Sequence, residues 1–256
     1  MIEAGCFLLG IAAGVLSGLF GIGGGIVMVP ALLVFFGMDI LDANATSLAA
    51  MLLPVGMLGV MAYYKAGLIQ VRDSLIIAAG LFLGSFAGGE LAMLIPENLL
   101  SKCYAVILIY LAIHYLDVPA HFKSKTTDQA VVKPGLLNKS VWAFLLVGVA
   151  AGVFAGLFGK GGGIVIVPML IAFFRYEPKQ AAATSLAALQ LPVGLPSVLI
   201  YAQNGHLQLV LAAFIAFGIL IGALLGSRLG VKLSASVFKK IFGVFLLFVA
   251  IFMVCK

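Results

Sequence analysis

Two stretches of this sequence hold the residues best placed to bind a charged ligand. Residues 18–30 read GLFGIGGGIVMVP and residues 156–168 read GLFGKGGGIVIVP. Each carries a glycine triplet, Gly23, Gly24 and Gly25 in the first and Gly161, Gly162 and Gly163 in the second. A glycine run leaves backbone N–H groups uncovered, and a helix starting there aims the positive end of its dipole at the same place. That is chemistry for an anion. Neither run is a nucleotide loop. The dinucleotide pattern needs a glycine where Ile26 and Ile164 stand, and the phosphate-loop pattern needs Ser or Thr after Lys160, where Gly161 stands. A tight turn between packed helices is the plainer use of such a run.

Other residues gather around these stretches. Lys160 replaces Ile22 of the first copy, and a cation beside a helix N-terminus is unfavourable unless an anion joins it. Snorkelling to an interface is the competing role for that side chain. ATSLAAMLLPVG at 45–56 is answered by ATSLAALQLPVG at 183–194. Pro54 and Pro192 each remove an N–H and free a carbonyl four residues back, which predicts a helix break beside the glycine run. Gln190, where the first copy has Leu52, can donate to an oxyanion or bond the freed carbonyl. Thr46, Ser47, Thr184 and Ser185 are read as helix starts, where N-capping is the first role and substrate contact the second. Enzyme chemistry finds no equipment. His114, His121 and His206 match no ligand or triad spacing, and no Ser/His/Asp arrangement stands out. Glu90 falls near an interface, and Cys6, Cys103 and Cys255 read as small buried hydrophobes. No cofactor, no metal and no catalytic residue is expected.

The elements that must hold these residues follow from composition. The chain is 64% hydrophobic and 9% charged, with a mean hydropathy of +1.24. A soluble surface cannot be built from so few charges, so the class is a polytopic membrane protein, all-α. The net charge of +6 reflects basic residues in short loops, which is topology rather than nucleic-acid binding. Met1-Ile2-Glu3 is acidic, so no cleaved signal peptide is expected.

The second glycine stretch lies 138 positions after the first, and that offset holds through most of the chain. Between Gly14–Gly67 and Gly152–Gly205, 30 of 54 positions are identical, which marks a duplicated unit. Apolar segments fall at 4–20, 24–36, 44–64, 73–95 and 99–116, then at 140–158, 162–174, 182–203, 208–229 and 236–254. The second segment of each half is too short to span and must re-enter or belong to a broken crossing. An odd number of crossings per half inverts the second copy. Charges agree: Lys65 and Arg72 face Gln203 and Val210, while Glu90 faces Arg228. The expected organisation is a first repeat at 1–116, a cytoplasmic linker at 117–139 and an inverted repeat at 140–256, with the N-terminus outside. Glycines at every fourth residue (10, 14, 18; 80, 84, 88; 148, 152, 156; 218, 222, 226) predict close helix packing.

The paired F-G-x-G-G-G-x-x-x-V-P segments, each followed by A-T-S-L-A and a proline, resemble the sulfite exporter TauE/SafE family of membrane permeases. The resemblance covers about residues 6–255. It touches Gly21, Gly23 to Gly25, Pro30, Thr46, Ser47 and Pro54, and Gly159, Gly161 to Gly163, Pro168, Thr184, Ser185 and Pro192. It implies a bacterial inner-membrane carrier for small sulfur-containing anions such as sulfite, sulfoacetate or other organosulfonates. Lys160 and Gln190 rest on the physical argument alone.

The expected function is a secondary transporter working by alternating access, its partners a small anion and the lipid bilayer. An anion channel, or a permease for another carboxylate or inorganic anion, uses the same helix ends and stays open. The sequence leaves open the anion, the direction, a homodimer and a coupling proton or ion.

Overall fold

The computed structural model describes residues 2–20, 23–54, 56–116, 140–159 and 162–230, and among them every regular element is helical. Lys160, Gly161, the linker 117–139 and the last expected segment lie outside the described residues. The first repeat holds α1 (Ile2–Phe20), α2 (Gly25–Phe35), α3 (Ile40–Ala50), α4 (Met57–Lys65), α5 (Val71–Leu94) and α6 (Glu97–Leu116). The second holds α7 (Val141–Phe158), α8 (Gly163–Phe174), α9 (Pro178–Ala188), α10 (Leu195–Gln203) and α11 (Leu209–Gly230). Three of these are long and apolar enough to cross a membrane: Val71–Leu94, Val141–Phe158 and Leu209–Gly226.

Segments 44–64 and 182–203 share two features. The first is that each is a pair of helices with a break at the proline, α3 with α4 and α9 with α10. Helices α3 and α9 end at Ala50 and Ala188, four residues before Pro54 and Pro192, whose rings would strike the carbonyls there. The second corrects the reading of the Thr-Ser pairs. Helix α3 starts at Ile40 and α9 at Pro178, so Thr46, Ser47, Thr184 and Ser185 lie in the second turn and cannot be N-caps. The capping positions are Asp39 and Glu177, both in extended backbone and neither making a side-chain cap bond. Proline at the first position of α9 needs no N–H there, and the alanine-rich sequences carry the helices forward.

Helix α2 lies back along α1. A Cβ placed on Gly24 would sit 3.1 Å from Ala13 Cβ, and one on Gly5 would sit 3.0 Å from Phe36 Cζ. The two helices are therefore an antiparallel hairpin whose ends lie at one level. The second repeat repeats the first contact, Gly162 against Ala151. Left-handed residues close α2 and α8, Gly37 at φ 63° and Arg175 at φ 54°. Met38 N then reaches Leu32 O at 3.2 Å and Tyr176 N reaches Leu170 O at 3.1 Å.

The glycine ladders pack as expected, but across the repeats. Gly80, Gly84 and Gly88 on α5 meet Gly148, Gly152 and Gly156 on α7; Gly10 and Gly14 on α1 meet Gly218 and Gly222 on α11. Residue numbers rise together in both seams, so each pair runs parallel. A Cβ on Gly80 would lie 2.9 Å from Gly148 Cα, and one on Gly152 equally close to Gly84 Cα. Backbone meets backbone, which only glycine permits. Replacing Gly84 by leucine drives its Cβ into the Val149 carbonyl. The expected outcome is a loss of at least about 3 kcal/mol, read as a lowered melting temperature or loss of monodisperse protein in detergent.

Candidate functional site

Where helices break inside an apolar protein, their end carbonyls need partners. The first repeat supplies them to the second. At the C-terminal end of α7, Asn44 Nδ2 donates to Leu157 O at 2.9 Å and Ser47 Oγ donates to Gly159 O at 2.8 Å. Tyr201 Oη donates to Gly156 O at 2.9 Å, and its repeat mate Tyr63 reaches Gly18 O at 3.4 Å. Ser47 has thus given its proton to a carbonyl and cannot offer it to an anion. Thr184 Oγ1 accepts from Gln70 N at 3.3 Å, and Thr46, fully buried, has a hydroxyl without a partner.

The helix starts fall where the glycine runs predicted. Gly24 and Gly162 are the residues immediately before α2 and α8, while Gly25 and Gly163 are the first helical residues, buried. Beside each lies a cavity. One, of about 20 Å³, is lined by Gly162 and Gly194, by Ser85, and by Leu48, Met51, Leu81, Ala155, Leu189 and Val193. The other, of about 10 Å³, is lined by Gly23, Gly24 and Gly56, by Ser17 and Gln190, and by Met51, Leu53, Leu186, Leu189 and Ile219. Shifting the first set by 138 yields much of the second: Gly162 becomes Gly24, Leu81 becomes Ile219, and Met51 and Leu189 exchange. The two cavities are repeat mates, and they adjoin at Met51 and Leu189, which line both. Each has room for about one water.

Gln190 gives one of its two Nε2 hydrogens to the backbone. Its Nε2 donates to Leu186 O at 3.1 Å, a carbonyl released because Gln190 N bonds Ala187 O instead. Its Oε1 is buried without a partner, so the amide offers an acceptor. Pro54 and Pro192 sit in the exposed breaks and line neither cavity. The second break is braced from α5: Ser85 Oγ lies 2.8 Å from Val193 O, and Ser197 Oγ donates to Ser85 O.

Several residues escaped the sequence reading. Ser17 and Ser85 line the cavities where their mates are Ala155 and Ala223, and Asn44 caps α7 where its mate is Ala182. The usable signal is departure from the mate, the same signal that picked out Lys160 and Gln190. Asp42 and His206, 164 residues apart, meet at 2.8 Å; their mates, Gln180 and Leu68, do not titrate. His206, read as scattered, is therefore half of a specific pair. Cys6 is buried as expected, whereas Cys103 is exposed.

Between α8 and α9, Tyr176 donates to the Asp73 carboxylate. Burial, then that carboxylate, pushes the phenol well above its ordinary value. A raised tyrosine keeps its contribution below the ordinary value of about 10, so Tyr176→Phe should cost the same stability at about pH 6 and pH 9. Ser47→Ala, which leaves the Gly159 carbonyl alone in the core, should cost roughly 2 kcal/mol, measured by thermal unfolding in detergent.

Comparison with known proteins agrees with this architecture. The family model described as Sulfite exporter TauE/SafE matches residues 6–253. The probable membrane transporter protein YdhB of Bacillus subtilis is 30% identical over 214 residues, covering 84% of this chain and 83% of that protein. A probable membrane transporter protein of Methanocaldococcus jannaschii is 31% identical over 190 residues, 72% of this chain and 67% of that one. One from Xylella fastidiosa is 28% identical over 251 residues, 97% and 92% of the two chains. No solved structure is significantly similar. With helices able to span a bilayer and a family match over nearly its whole length, the chain is a multi-pass membrane protein that belongs to the sulfite exporter TauE/SafE family.

Proposed function

We propose that this family member is a secondary carrier for small sulfur-containing anions, sulfite or a short organosulfonate, working by alternating access in the bacterial inner membrane. The observation that carries the reading is the pair of mated cavities, each beside a helix N-terminus and the two joined at Met51 and Leu189. As they stand, cavities of about 20 and 10 Å³ hold water but no oxyanion. Movement of Met51 and Leu189 would merge the two into one chamber. Small cavities that must enlarge to admit an anion favour a carrier over a channel.

In this reading the repeats are inverted. Support comes from Tyr63, near the end of α4, which reaches Gly18 near the end of α1, so that α5 starts at the face where α1 finishes. Helix α7 runs parallel to α5, hence opposite to its own mate α1. The backbone N–H groups of Gly23, Gly24, Gly25 and of Gly161, Gly162, Gly163 would receive the anion's oxygens, and Lys160 would balance its charge. Gln190 would donate its second Nε2 hydrogen to the anion, and its acceptor oxygen would hold a water or the hydroxyl of a protonated anion. Ser17 would add a donor, while the Ser85 hydroxyl serves the backbone. Thr46 and Thr184 stand farther off, with no place in either cavity lining, and Ser47 serves the backbone.

The direct test exchanges cavity residues for their mates, changes of shape the fold already accommodates. Ser17→Ala protein should elute and melt like the parent. Gln190→Leu protein, whose Leu186 carbonyl loses its partner, should elute like the parent but melt lower. Each should bind sulfite and sulfoacetate about tenfold more weakly, measured by thermal shift and by flux into liposomes. Unaltered affinity in both variants would remove the cavity from the account.

A further inference from the structure

Asp42 and His206 join the repeats at the face where α1 begins. Helices α1 and α11 run parallel with Gly10 beside Gly218, so their starts lie level, and His206 stands just before α11. Both carboxylate oxygens of Asp42 are held from the other repeat: His206 Nδ1 lies 2.8 Å from Oδ1, and Gln208 Nε2 donates to Oδ2 at 3.3 Å. The histidine is placed by the backbone. Helix α10 closes through Gly205 at φ 83°, after which His206 N bonds Tyr201 O at 3.0 Å. Asp42 and His206 each remain 26% exposed, so water and protons reach the pair.

We propose that the Asp42–His206–Gln208 cluster is a proton-binding latch that keeps this face of the transport pathway shut. The latch presupposes the transport reading above. One turn deeper on α3 lies Thr46, fully buried with its hydroxyl unpartnered. Its mate Thr184, at the opposite seam, accepts from Gln70 N, while Ser74 Oγ donates to the Thr184 carbonyl at 3.0 Å. The seam beneath the latch is thus the less satisfied of the two and depends more on the polar contacts at its mouth. The opposite seam is closed by Tyr176 on Asp73, and the mates of the latch residues are Gln180, Leu68 and Gln70. No histidine stands at the mate positions of the latch residues.

The sign follows from the pair. Protonated His206 against the Asp42 carboxylate is an ion pair as well as a hydrogen bond; neutral His206 keeps only the hydrogen bond. Acid tightens the latch. Among the described residues, the other charged or readily titrated groups on the helices packed against α3 or α11 are Glu3 and Cys6 on α1, Tyr63, Tyr64 and Lys65 on α4, Glu97, Lys102, Cys103, Tyr104, Tyr110, His114 and Tyr115 on α6, Tyr201 on α10 and Arg228 near the far end of α11, with Asp39 just before α3; α2 and α7 carry none. Tyr201 is committed to Gly156 O.

The test places a reporter thiol, Thr46→Cys, in a protein whose three native cysteines have been removed, and labels it with a membrane-impermeant maleimide. The rate in the His206→Gln version divided by the rate in the parent cancels the thiol's own pH dependence. We expect that ratio to be about tenfold at roughly pH 5 and to approach one at roughly pH 8, with Asp42→Asn, which removes the charge from the other partner, also raising the low-pH rate. Tyr176→Phe, at the opposite seam, should leave the ratio near one. A ratio near one at both pH values, in proteins that elute as single species, overturns the latch. Isethionate, whose charge is constant over this range, then separates the two readings in liposomes. Flux with a flat labelling ratio sinks the latch alone; a pH-dependent ratio without flux of isethionate or sulfite sinks the transport reading and leaves the latch.

Discussion

A polar backbone group in an apolar interior must find a partner within the protein, and this chain breaks its helices where that demand is hardest to meet. Pro54 and Pro192 stop α3 and α9, and the glycine runs stop α1 and α7. The exposed carbonyls are then answered by particular side chains: Asn44 and Ser47 at the end of α7, Tyr201 and Tyr63 one turn earlier, Ser85 at the second break. Most of these partners come from the other repeat. Satisfying the breaks of the second repeat is therefore the same act as joining the two halves.

The glycine seams serve that joining. Parallel contact of α1 with α11 and of α5 with α7 brings backbone against backbone, so the long helices form two rigid pairs drawn from both repeats. The short helices and the breaks sit against these pairs. A change of conformation is then easiest as movement of the short elements past the seams, which is where Met51, Leu189 and the Asp42–His206 contact lie.

Much of this was legible in the sequence. The 138-residue offset announced the duplication, the prolines announced the breaks, and the four-residue glycine spacing announced close packing. The helix starts at Gly25 and Gly163 followed from the runs before them. Less visible were matters of tertiary partnership. Thr46 and Ser47 look like caps because Ser and Thr favour that position, yet α3 begins six residues earlier and their hydroxyls face decisions made by distant chain. Gln190 was legible as unusual but not as an acceptor, since one of its donors goes to a carbonyl orphaned by the local turn. His206 looked isolated because its partner is 164 residues away. What local pattern hides, comparison of the two copies uncovers: Ser17, Ser85, Asn44, Asp42, Gln190 and His206 all differ from their mates.

The central claim is that two small mated cavities open into one chamber when Met51 and Leu189 separate. It is tested most directly by replacing both with cysteine in a protein lacking the native thiols, then following sulfite flux in liposomes before and after oxidation. The account predicts that the cross-linked protein is silent and that a reductant restores transport. Undiminished flux through protein shown by mass to be fully cross-linked would contradict it.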